Sequence, residues 1–160
     1  MFFNDNRYIS LPSMRKSILG FYLKVRACGF LEEMLFFINI LQEMCGSIMV
    51  TPEVMKEYGV SLPEWIIVRE VSDTKKTAVF SKFIGAGESS AIALAMETEN
   101  ALLIVDDRRA RQFALGLGLE IIGTLGLIIR AHENGIIHDI DSVVANLREI
   151  GDCQLIPMRL

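Results

Sequence analysis

From residue 46 onward, two rhythms of apolar residues alternate along the chain. Ser47, Ile48, Met49 and Val50 make a short, mostly apolar run that ends at Thr51-Pro52, where a threonine caps a helix and a proline fits its first turn. That helix, about residues 52–57, stops at Tyr58-Gly59, and Trp65, Ile66, Ile67 and Val68 read as a second strand. Gly85-Ala86-Gly87 leads into an alanine-rich helix over about residues 88–97. Leu102, Leu103, Ile104 and Val105 are apolar without a break, the mark of a strand buried on both faces of a parallel sheet. Asp106-Asp107 closes that strand and opens a helix in which Ala110, Phe113, Ala114 and Leu117 share one face. Gly118 ends it, and Glu120, Ile121 and Ile122 give another strand. Two further helices follow, one from Thr124 to about Glu133 before Asn134-Gly135, the other with Ile140, Val143, Val144 and Leu147 on one face. Alternation of this kind predicts βαβ units, hence an α/β fold with a mostly parallel central sheet and helices on both of its sides. Residues 7–44 break the rhythm and read as one or two apolar helices carrying Phe21, Tyr22, Phe30, Phe36 and Phe37.

A length of 160 residues predicts one domain over 1–160, with an atypical segment at 1–44 and a recognisable core at 46–150. At 51% hydrophobic and 22% charged residues, the chain is not of a disordered type. Its mean hydropathy of +0.37 points to a deeply buried sheet or to an apolar surface covered by a partner. No run reaches the roughly 18 apolar residues of a membrane-spanning helix, since Glu32 and Glu33 interrupt the greasiest stretch, and no membrane role is expected. The start, Met1 to Asn6, lacks a basic signal-peptide region. Cys28, Cys45 and Cys153 form no C-x-x-C pair and read as reduced thiols, so the expected location is cytoplasmic. A net charge of −4 argues against gripping nucleic acid by bulk electrostatics; a metal or a local basic patch has to supply the attraction.

Three acids stand out: Glu88 at a helix start, and Asp106 and Asp107 at the end of the buried strand. Each alone has a plain account, because helix N-termini favour negative side chains. Together they are harder to explain this way. In an open parallel sheet the crevice beyond the strand carboxyl ends binds ligands, and carboxylates gathered there repel one another until a proton or cation intervenes. Hard divalent cations take such oxygen ligands, so a metal site on Glu88, Asp106 and Asp107 follows as an expectation.

The elements Gly87-Glu88-Ser89-Ser90-Ala91, Val105-Asp106-Asp107-Arg108-Arg109-Ala110-Arg111 and Gly123-Thr124-Leu125-Gly126 together resemble the core of an uncharacterised PIN-like family of predicted nucleic-acid-binding proteins. Val50-Thr51-Pro52-Glu53-Val54 is similar to that family's second segment, and the resemblance spans about residues 41–150. It implies a three-layer α/β/α fold and a metal-dependent ribonuclease that holds Mg²⁺ or Mn²⁺. The implied catalytic acids are Glu57, Glu88 and Asp107, with Asp106 beside Asp107 as a further metal ligand. RNA, an antitoxin protein and a second copy of the chain are the partners that follow. The family also opens with a strand ending in an aspartate followed by small hydroxylated residues, and Met1 to Asn6 departs from that pattern. Asp5 takes the place only if residues 2–4 form a strand beside residues 102–105.

Arg108 and Arg109 suit phosphate contact equally with a solvated helix face, and Arg111 suits bracing a carboxylate. Gly85-Ala86-Gly87 is half a dinucleotide fingerprint, without a third glycine or a leading strand. His132 and His138 are wrongly spaced for one metal on one helix face, and no partnered nucleophile supports serine or cysteine hydrolase chemistry. The main alternative is a PIN-like domain that has lost its first acid and binds RNA or a protein without cutting.

Overall fold

Among the described residues, five three-residue strands, all parallel, build the sheet. A computed structural model describes residues 17–19, 31–59 and 61–149. In chain order the elements are β1 (Ser17–Leu19), α1 (Leu31–Cys45), β2 (Ile48–Val50), α2 (Pro52–Tyr58), β3 (Ile66–Val68), α3 (Thr74–Phe80), α4 (Ala86–Met96), β4 (Leu102–Ile104), α5 (Arg108–Gly116), β5 (Glu120–Ile122), α6 (Thr124–Glu133) and α7 (Ile140–Glu149). The strand order is β3-β2-β1-β4-β5. From β1 the chain winds outward to the β3 edge, returns through α3 and α4 to β4, and winds outward again to β5. The direction reverses between β1 and β4, and beyond the carboxyl ends of those two strands lies the crevice that open α/β sheets use for ligands.

One sequence expectation fails here, and one helix had no sequence reading. Residues 7–44 contain a strand as well as a helix: Ser17–Leu19 pairs with both β2 and β4 at the centre of the sheet. A strand of one serine and two aliphatics has no local pattern to reveal it; only pairing with residues about 30 and 85 positions away holds it in place. The slot beside β4 that residues 2–4 would have needed is therefore filled by β1, while Asp5 lies outside the described residues. The chain also forms α3, unforeseen because Thr74, Lys75, Lys76 and Thr77 carry no apolar stripe. Its signal was the cap: Asp73 accepts from the backbone N–H groups of Lys75 and Lys76 at 3.2 and 3.3 Å.

The core gathers around β2, β4 and α4. Leu103, Ile104 and Val105 are buried as expected, with Leu102 half-buried. Every residue of α4 from Gly87 to Ala95 is buried, so this helix has no solvent face and no amphipathic stripe. Its alanines allow close approach to α2, α3, β1, β4 and α5. Two buried hydroxyls, those of Thr51 and Ser90, are satisfied in series. Thr51 N-caps α2 by accepting from Val54 N–H at 3.3 Å, and Ser90 donates to Gly87 C=O at 2.9 Å. With that proton committed, the 2.6 Å contact between the two hydroxyls has Thr51 donating to Ser90.

At the other end of α4, Glu97 accepts from Ser72 N–H at 2.9 Å and Asp73 N–H at 2.8 Å, tying down the start of α3. Partial burial pushes its carboxyl up, but the N–H groups of Ser72 and Asp73, with Lys76 nearby, outweigh this and leave it below its ordinary value. A carboxyl lowered on folding stabilises the fold above its unfolded value and loses that effect as pH falls through the lowered one. Glu97→Ala should therefore destabilise the protein at neutral pH by about 0.5–1 kcal/mol, discounted for solvent exposure. Thermal melts at pH 7 and pH 3 should show the gap closing in acid; an equal gap at both would refute the assignment.

Candidate functional site

At the carboxyl edge of the sheet, the end of α2, the loop before α4, the first turn of α4 and the start of α5 enclose a cleft of about 440 Å³. Glu57, Glu88, Asp107 and Arg109 line it, with Lys82 and Phe83 from the α3–α4 loop. Glu57, Glu88 and Asp107 are the acids that the resemblance picked out, and they come from three separate elements.

Two of the carboxylates are each anchored through one oxygen to a helix start. Glu57, near the end of α2, accepts from Gly87 N–H at 3.0 Å. The α4 N-cap residue, Gly85, has no side chain to serve that turn, so a carboxylate from α2 does so. Asp107 N-caps α5, accepting from Ala110 N–H at 2.8 Å. The glycines of Gly85-Ala86-Gly87 make room: a Cβ on Gly87 would lie 2.5 Å from Glu57 Oε2, and one on Gly85 would collide with Glu88 Oε2. The half-fingerprint in the sequence is thus a cradle for carboxylates, not for a pyrophosphate.

Glu88 is the anomaly. It is only 6% exposed, and its Oε2 is buried without a hydrogen-bond partner. Burial pushes its carboxyl above the ordinary range, a bond from its own N–H opposes this, and the charges of Glu57 and Asp107 push it further up. A buried acceptor left open between two other carboxylates is the arrangement that a cation or a proton relieves. Among the described residues, no group of three His, Cys, Asp or Glu side chains closes into a ready-made metal cage.

The structure separates the adjacent aspartates. Successive residues of extended chain face opposite ways, and Asp106 turns from the cleft to α6, accepting from Thr124 N–H at 2.8 Å and, through its other oxygen, from the Thr124 hydroxyl. Both arginines offered for phosphate are exposed, but only Arg109 borders the cleft. Arg111 donates to Val105 C=O at 2.9 Å and so braces the strand end. His132 bonds Ile137 C=O through Nδ1 at 2.8 Å, a structural contact after α6. Lys82 and Phe83 were not singled out in the sequence; a lysine and a phenylalanine in a short loop carry no motif.

A family model described as a PIN domain, DUF3368, matches residues 36–153. The chain belongs to this PIN-domain family. No curated protein and no solved structure matches it. Membership brings an α/β, nuclease-type fold, a general association with nucleic acid, and the dependence on divalent metal that is general among PIN domains. The matched region begins inside α1, so β1 lies outside it. No acidic residue occurs between Asp5 and Glu32, and the strand that occupies the PIN domain's centre carries none to the crevice. Among the described residues, no helix is long and apolar enough to cross a membrane.

Proposed function

We propose that this PIN domain is a metal-dependent ribonuclease whose reaction centre is the cleft formed by Glu57, Glu88 and Asp107. The observation that carries the reading is the buried, unpartnered Oε2 of Glu88 flanked by two further carboxylates. The donor set is all oxygen and suits Mg²⁺ or Mn²⁺. Such a cation keeps several of its waters and takes one or two carboxylates directly, with Glu88 and Asp107 as those ligands. A cation bound there would activate water and offset charge on the scissile phosphate. Glu57 orients the first turn of α4 and adds negative charge to the cleft, while Arg109 pairs with a phosphate oxygen. The winding order supports a single three-layer domain. If the crossovers on either side of the reversal between β1 and β4 follow the right-handed rule for parallel strands, helices fall on opposite faces of the sheet.

The alternative, a PIN domain that binds RNA or a protein without cutting it, draws on the acid-free stretch between Asp5 and Glu32. One assay separates the two. Cleavage of unstructured RNA should require Mn²⁺ or Mg²⁺ and fall at least 100-fold in Asp107→Asn. Asparagine keeps the α5 cap, so the variant should remain folded. RNA bound but left intact by the wild type under every metal would establish the binder.

A further inference from the structure

The cleft carries a feature that hydrolysis by carboxylates leaves unused. Phe83 keeps 61% of its surface exposed, yet its position is fixed on two sides. Its N–H donates to Phe80 C=O at 2.9 Å. Its ring stacks on Phe113, centroids 6.1 Å apart and planes 22° from parallel, and Phe113 in turn meets Phe80 edge-on at 5.0 Å. One face of the Phe83 ring is backed by Phe113, which leaves the opposite face to solvent. Lys82 and Arg109 border the same cleft, and neither pairs with a carboxylate among the described residues.

We propose that Phe83 is a stacking platform for one unpaired nucleobase, with Lys82 and Arg109 holding the flanking phosphates, so that the cleft admits single-stranded RNA and rejects duplex. The choice of RNA rests on the ribonuclease reading above; the stacking geometry does not. Every base offers a planar face, and an alkyl-poor, charged cleft suits a base and its phosphates better than an apolar peptide. A peptide covering Phe83 would also desolvate Lys82, Arg109, Glu57 and Asp107 without pairing them all. In a duplex the base faces are already stacked and cannot reach the ring.

Fluorescence anisotropy in Ca²⁺ buffer would measure binding of three probes: a labelled single-stranded RNA decamer, its duplex, and a decamer of the same charge whose ribose units lack bases. The wild type should bind the single strand about tenfold or more tightly than the baseless strand. Phe83→Ala should lose that preference, Phe83→Trp should keep it, and Phe83→Leu, apolar but without a ring, should behave as alanine. Circular dichroism melts would confirm that each variant is folded. Tight binding by the leucine variant, equal affinity for duplex, or an unchanged alanine variant would overturn the proposal. So would a Phe83→Ala variant whose only change is a smaller oligomer by light scattering, which would make the ring a protein contact. Loss of cleavage in the wild type with the base preference intact would refute the ribonuclease reading and leave this one standing.

Discussion

Glu88→Gln is expected to make the metal-free protein more stable and the metal-loaded protein less so. The carboxyl of Glu88 is raised, first by burial and then by Glu57 and Asp107, so the folded state holds its proton more tightly than the unfolded chain does. Stability from such a group is fully present below its ordinary value of 4.5 and is lost as pH rises through the raised one. At neutral pH the charged, unpartnered Oε2 therefore works against folding. Glutamine removes that charge and supplies an amide that can donate to Glu57 or Asp107. The gain should be on the order of 1 kcal/mol, or roughly 2–4 °C in Tm, at pH 7, and should shrink toward zero below pH 4. Saturating Mn²⁺ should reverse the order. The wild type gains about 2.7 kcal/mol at a hundredfold excess over Kd, whereas the variant gains little. RNA cleavage should fall at least 100-fold with it. Melts with and without Mn²⁺ test both signs; a metal-free variant that is less stable, or one that keeps the metal shift, would remove Glu88 from the centre.

How much of this was legible beforehand depended on whether the signal was local. Strands β2 to β5 and helices α2, α4 and α5 announce themselves through apolar runs, an alanine-rich stretch and caps such as Thr51-Pro52 and Asp107. Glu57, Glu88 and Asp107 were legible through their likeness to a PIN domain, and the cleft brings those three together. Non-local features were hidden. β1 exists because β2 and β4 flank it, and Ser17-Ile18-Leu19 has no pattern of its own. Phe83 matters through Phe113, thirty positions later, and Glu97 through the loop at Ser72 and Asp73. Asp106 and Asp107 look alike in sequence, and only the alternation of the backbone at a strand end divides them.

That division yields the sharpest stability contrast in the molecule. Asp106 receives both polar protons of Thr124, a residue 1% exposed that opens α6. The N-cap of α6 is Gly123, which supplies no side chain, so the first turn depends on an acceptor from the end of β4. The glycine is there for space: a Cβ would lie 2.9 Å from Asp106 Oδ1 and 2.6 Å from the Arg111 guanidinium. Asp106→Ala leaves a buried N–H and a buried hydroxyl without their acceptor, and should cost about 2–4 kcal/mol. Asp106→Asn keeps an oxygen for the N–H and offers its amide to the hydroxyl oxygen, so the cost should stay near 1 kcal/mol. Neither change should diminish the stabilisation by Mn²⁺, because Asp106 faces α6 and not the cleft. Urea unfolding with and without Mn²⁺ measures both quantities on the same samples. An Asp106→Ala variant of wild-type stability that no longer responds to Mn²⁺ would return this aspartate to the metal ligands and dissolve the separation between the pair.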